Sequence, residues 1–201
     1  MRLPRIYPVV ESSGWVERLL PLGVRLIQLR VKERPAWQIR DEIRAAQALC
    51  AHCGAQLVVN DYWQLALDEG CNFVHLGQGD LDTADVPALR RAGARIGIST
   101  HDHAELDRAL ALEPDYVALG PVYPTSLKVM PWSAQGLDRV TEWKRRIGLI
   151  PLVAIGGLTV GRLPGVFAAG ADVAAVVTDI VRNTDPEART REWLAVASRP
   201  T

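Results

Sequence analysis

Short apolar runs recur along the chain, each followed by a longer stretch with helical period. The runs are Ile6–Val10, Leu26–Leu29, Gln56–Val59, Phe73–Leu76, Arg95–Ile98, Tyr116–Leu119, Leu152–Ile155 and Val173–Val177. They are rich in apolar and β-branched residues and lack polar alternation, which suits strands buried on both faces. The intervening pattern predicts helices over Trp15–Leu22, Trp37–His52, Trp63–Glu69, Val86–Ala92, Ala104–Leu112, Leu137–Ile147, Leu163–Ala169 and Ala188–Ala197. Gly23, Gly54, Gly70, Gly93, Gly148 and Gly170 stand at the helix-to-strand joints, where a left-handed residue stops a helix. Strand and helix thus alternate eight times. The expectation is a single-domain (β/α)8 TIM barrel over residues 1–201, at the short end for that fold. An open doubly wound sheet is disfavoured, since no G-x-G-x-x-G fingerprint occurs.

One connection breaks the pattern. Between Gly120 and Gly136 the chain reads PVYPTSLKVMPWSAQ, with three prolines and no helical period. Long structureless connections in compact domains are commonly functional. In a barrel this one leaves the C-terminal end of the sixth strand.

Composition narrows the function. Lys plus Arg is 23 and Asp plus Glu is 23, so there is no basic excess to hold a nucleic-acid backbone. Any phosphate must be bound by a few placed groups. No apolar run approaches the roughly 20 residues that span a bilayer, and MRLPRIYPVV lacks the parts of a signal peptide. A cytoplasmic protein acting on small molecules is expected, with homo-oligomerisation left open. Cys50 and Cys53 form a C-x-x-C, but three cysteines make neither a disulfide framework nor a zinc site. They read as buried or half-buried thiols near a helix C-terminus.

Barrel enzymes carry their chemistry at the C-terminal strand ends. Arg30 and Lys32 follow the second run, Asp61 the third, Asp80 the fourth and Lys128 the sixth. Mg2+ takes hard oxygen ligands, commonly one or two carboxylates plus phosphate oxygens. Asp61 and Asp80, at neighbouring strand ends, suit that ion. Arg30, Lys32 and Lys128 suit the phosphates themselves. Gly156-Gly157 and the turn after Val177 form a second anion site after strands seven and eight, the usual phosphate corner of the fold. Competing readings are simpler: either Asp can be a helix cap, and Gly-Gly can be a tight turn. His75 and His101 read as satisfied core or loop histidines, and His52 and His103 as exposed. Trp15, Trp37, Trp143 and Trp193 read as packing residues, leaving Trp63 and Trp132 near the catalytic face.

Together the motifs QLRVK (28–32), NDYW (60–63), VHLGQGD (74–80), GISTH (97–101), ALGPVYPTSLK (118–128), VAIGG (153–157) and AVVTDI (175–180) resemble the motif series of thiamine phosphate synthases. The resemblance implies that hydroxymethylpyrimidine diphosphate loses pyrophosphate through a dissociative step, and that a thiazole phosphate captures the pyrimidine methylene carbon. It implies that the run Gln28, Leu29, Arg30, Val31 and Lys32, with Asn60, Ser99 and Lys128, binds the pyrimidine diphosphate. Arg30, Lys32, Ser99 and Lys128 are then the catalytic groups, and Asp61 and Asp80 hold Mg2+. Thr125, Ser126, Leu127, Gly157, Val177 and Thr178 are implied to bind the thiazole phosphate.

The chain departs from the family pattern at three places. The usual T-x-T-K is Thr125-Ser126-Leu127-Lys128, V-S-A-I is Val177-Thr178-Asp179-Ile180, and Gly79 stands where Glu is common. Asp179 sets a negative charge beside the expected phosphate unless its carboxylate points away. The related thiazole tautomerase is the nearest alternative, but its G-H-V histidine is replaced here by Pro121. A non-catalytic thiazole-phosphate-binding regulator is the other.

Overall fold

Each predicted apolar run forms a strand in the computed structural model, which describes residues 3–125 and 133–198. The strands are β1 (Ile6–Val10), β2 (Leu26–Leu29), β3 (Gln56–Asn60), β4 (Phe73–Leu76), β5 (Arg95–Thr100), β6 (Tyr116–Leu119), β7 (Leu152–Ala154) and β8 (Val173–Val176). They pair in parallel and in chain order, and β8 closes on β1 with Tyr7 opposite Ala175. The helices are α1 (Ser13–Leu19), α2 (Ala36–Cys53), α3 (Trp63–Asp68), α4 (Val86–Arg91), α5 (His103–Leu110), α6 (Gly136–Ile147), α7 (Leu163–Ala168), α8 (Thr178–Val181) and α9 (Pro186–Ala197). The expected single-domain (β/α)8 barrel is the observed fold.

Strand alternation divides the core into two layers. Ile27, Leu29, Val59, Val74, Ile96, Ile98 and Val117 pack outward beneath the helices. Tyr7, Val9, Leu26, Val58, Phe73, Tyr116, Val153 and Val173 fill the barrel. Leu26 is completely buried, so truncating it to Ala would cost about 2–5 kcal/mol. Towards the C-terminal ends the inward positions turn polar. Gln28 and Asn60 there are each only 4% exposed.

The differences from the predicted elements have local causes. Parallel pairing extends β3 through Asn60 and β5 through Thr100, so Asn60 and Ser99 stand on strands rather than in loops. The helix α8 was not predicted, because one turn is too short to show a period. α9 begins two residues early, since Asp185 caps it by accepting from the Ala188 amide at 2.9 Å. All six glycines expected to stop helices have positive φ, Gly54 at 61° directly after α2. Trp143 and Trp193 are fully buried, as expected, but Trp37 is not a packing residue: at the exposed start of α2 it is 64% exposed. Cys50 and Cys71 are buried free thiols, and burial raises the Cys50 thiol to about 12. Among the described residues no helix is long and apolar enough to cross a membrane.

Candidate active site at the C-terminal rim

Two carboxylates meet where β3 and β4 end. Asp61 takes a left-handed backbone, φ 63°, which Asp tolerates better than most residues. Its amide donates to the His75 carbonyl at 3.0 Å, tying the turn to β4. Asp80 folds back, and its Oδ2 accepts from the Gly77 amide at 2.7 Å. Neither is the N-cap of the helix that follows it, since Tyr62 holds that position for α3 and Asp85 for α4. The two carboxyl groups lie within hydrogen-bonding reach of each other. Burial, and then the charge of Asp80, push the Asp61 carboxyl above its ordinary pKa, while Lys32 and Arg30 oppose the shift. The Lys32 ammonium stands 3.6 Å from Asp61 Oδ2.

This donor set fits a hard divalent cation. Two carboxylates pressed together in a half-buried place favour a positive charge between them, and the nearby Arg30 and Lys32 favour phosphate as its further ligand. No cluster of three or more His, Cys, Asp or Glu able to hold a metal occurs among the described residues.

The barrel mouth beside the pair is lined by inward-facing Gln28, Asn60, His75 and Ser99. Asn60 Nδ2 is buried without a hydrogen-bond partner. A buried donor left unpaired costs about 1–3 kcal/mol, a cost that an acceptor on a ligand would remove. Ser99 is held through its carbonyl, which accepts from Gln78 Nε2 at 2.7 Å. The Leu29 and Val31 side chains lie instead in the layer between strands and helices. Only their main chain can face the rim. His75 is a satisfied core histidine, and His101 a loop histidine paired with Glu105 at 2.7 Å.

The second half of the site lies after β6, β7 and β8. The Val122 and Tyr123 amides donate to the Ile155 and Gly156 carbonyls, laying the start of the long loop against the end of β7. Gly157, at φ 63°, sits so close beneath it that a Cβ would fall 2.5 Å from the Pro124 carbonyl oxygen. The Gly-Gly pair is thus required by this approach as well as by any ligand. Thr125, Gly157, Thr159, Arg162 and Thr178 line a cleft of about 280 Å3. Thr178 opens α8, and Val177 at its capping position packs against the barrel interior. Asp179 borders the same cleft, but its Oδ2 accepts from the Trp193 indole at 2.7 Å and faces Arg189 at 3.7 Å. Its charge is turned towards α9.

Arg162 went unpredicted. Its guanidinium donates to the Gly157 carbonyl and lies 4.3 Å from the Tyr123 ring centroid. A lone arginine among glycines and apolar residues carries no motif, and only the return of Tyr123 over β7 gives it a place. Ser126, Leu127, Lys128 and Trp132 lie outside the described residues.

Comparison with known proteins shows the family. A family model described as thiamine monophosphate synthase matches residues 7–180. The thiamine-phosphate synthase of Rhizobium etli is 61% identical, over 98% of this chain and 97% of that protein. The thiamine-phosphate synthase of Klebsiella pneumoniae is 48% identical, over 96% and 91%. A thiamine phosphate pyrophosphorylase structure from Pyrococcus furiosus superposes with a TM-score of 0.85 at 23% identity, covering 96% of this chain and 95% of that one; at that identity it speaks for the fold. These names support neither the tautomerase nor the regulator. The chain belongs to the thiamine monophosphate synthase family and is a transferase of thiamine biosynthesis.

Proposed function

We propose that the rim joins hydroxymethylpyrimidine diphosphate to thiazole phosphate, releasing pyrophosphate and forming thiamine monophosphate, with Mg2+ held by Asp61 and Asp80. The observation that carries this reading is the carboxylate pair beside Lys32 and Arg30, on the same rim as a separate cleft with its own cation, Arg162. Two anionic substrates thus have two sites opening on one barrel mouth.

In the dissociative step the carbon–oxygen bond to the diphosphate breaks and its electron pair leaves with the diphosphate. The thiazole nitrogen then gives its lone pair to the pyrimidine methylene carbon. Asp61 and Asp80 would hold Mg2+, which would supply positive charge to the departing oxygens. Arg30 and Lys32 stabilise the same developing charge, with Lys128 in that role from the long loop. Asn60 Nδ2, Gln28 and Ser99 hold the pyrimidine end. Thr125, Gly157, Thr178 and Arg162 hold the thiazole phosphate, and the family resemblance assigns Ser126 and Leu127 to the same substrate. The thiazole nitrogen carries no proton to lose, so the step needs no general base. His75 fits this: burial, and then the charge of Arg30, push its imidazole down to about 4, so it is neutral. Small-molecule substrates and a cytoplasmic location complete the reading.

The test is product formation by the purified protein with and without Mg2+. Product only with Mg2+ is expected. Equal turnover in chelator would refute the metal assignment, and no product under either condition, in folded protein, would refute the reaction.

A further inference from the structure

A continuous hydrogen-bonded chain crosses the barrel interior beneath the rim. Gln28 Nε2 donates to the Tyr7 hydroxyl at 2.9 Å. The Tyr7 and Tyr116 hydroxyls are 3.0 Å apart. Tyr116 Oη lies 2.7 Å from His75 Nδ1, and His75 Nε2 lies 2.8 Å from Ser99 Oγ. Tyr7 and Tyr116 are essentially unexposed. Their places are tightly fixed: the Tyr116 ring stacks on His75 at 11° between planes and meets Tyr7 edge-on at 87°. It also occupies the space that any side chain at Gly97 would fill.

The proton directions along this chain follow from counting donors and acceptors. Tyr7 accepts from Gln28, and Tyr116 is the other partner of its hydroxyl, so donation from Tyr7 to Tyr116 is the direction that leaves no buried hydroxyl hydrogen unpaired. Tyr116, accepting from Tyr7, gives its hydrogen to His75 Nδ1. A neutral imidazole has one acceptor and one donor nitrogen, so Nε2 carries the proton and donates to Ser99 Oγ. Ser99, accepting from below, directs its own hydrogen into the site.

We propose that Tyr7, Tyr116 and His75 are positioning residues that commit the Ser99 hydroxyl to act as a hydrogen-bond donor to the pyrimidine diphosphate. The proposal rests on the reading that Ser99 faces that substrate. Without the chain the hydroxyl divides its orientations between imidazole and substrate, and its transition-state contact weakens. Chains of this kind polarise one another, so a break far from Ser99 is still felt there.

The experiment is a double-mutant cycle on kcat with Tyr116→Phe and Ser99→Ala, folding being followed by circular dichroism and thermal unfolding. Tyr7→Phe breaks the same chain elsewhere and replaces Tyr116→Phe if that variant fails to fold. Tyr116→Phe is expected to lower kcat about tenfold, short of the roughly hundredfold expected on removing the donor itself. In the Ser99→Ala background it should have no further effect. Equal losses in both backgrounds, or no loss from Tyr116→Phe in the wild-type background, would overturn the proposal. Unchanged kcat for Ser99→Ala would overturn the placement of Ser99 itself and the proposal with it. Imidazole nitrogen NMR gives an independent readout. The neutral Nε2–H tautomer of His75 is expected, and the Nδ1–H tautomer would overturn the assigned direction.

Discussion

The indole nitrogen of Trp193 donates to the carboxylate of Asp179 at 2.7 Å, turning that charge from the cleft after β7 and β8 towards α9. The negative charge that the sequence set beside a phosphate is thereby satisfied by a fully buried tryptophan from the last helix. Trp193→Phe keeps most of the packing and removes the donor. It should cost about 2 kcal/mol of stability and raise KM for thiazole phosphate, leaving that for the pyrimidine diphosphate unchanged. Adding Asp179→Asn should restore the thiazole-phosphate KM. Steady-state kinetics on the single and double variants checks both.

Arg162 is the one cation among the described residues that line the same cleft. A charge-assisted hydrogen bond contributes about 1.5–3 kcal/mol, so Arg162→Ala should raise the thiazole-phosphate KM about tenfold or more. The KM for the pyrimidine diphosphate should stay. Equal changes in both would place Arg162 outside the thiazole half.

Asp61 and Asp80 repel each other while no cation lies between them. Asp61→Asn should therefore leave the metal-free protein as stable as the wild type or more so. It should abolish the rise in unfolding temperature produced by Mg2+ with pyrophosphate, and Mg2+-dependent turnover with it. Thermal unfolding across a Mg2+ series separates these effects from a loss of fold.

His75 couples the barrel interior to pH. Its imidazole has a pKa of about 4 in the folded protein against 6.5 in an ordinary setting, chiefly through burial. The unfolded chain therefore binds more protons in this window, and stability falls as pH falls. The loss from this group between about pH 7 and about pH 5 is roughly 2 kcal/mol. Denaturant unfolding at a series of pH values should show that slope, and His75→Gln should flatten it.

The sequence carried the strand–helix alternation legibly because parallel barrel strands are apolar on both faces and helices keep their own period. The one-turn α8 escaped, being shorter than any period. The meeting of Asp61 and Asp80 with Arg30 and Lys32 was legible because parallel barrel strands in chain order bring neighbouring C-terminal ends together. Leu29 and Val31 show the limit: they share a motif with Arg30, but alternation sends their side chains to the opposite layer.

By itself, then, the sequence determined a (β/α)8 barrel, its family and a rim where Asp61 and Asp80 stand beside Arg30 and Lys32, since these depend on local periodicity and on residues at fixed register. Only the tertiary structure decided where Asp179 points, that Arg162 enters the cleft, and that Tyr7, Tyr116 and His75 join Gln28 to Ser99. Those relations bring together side chains from distant strands and helices, 109 positions apart for the two tyrosines. Closure of the barrel creates such distances, and no local pattern encodes them.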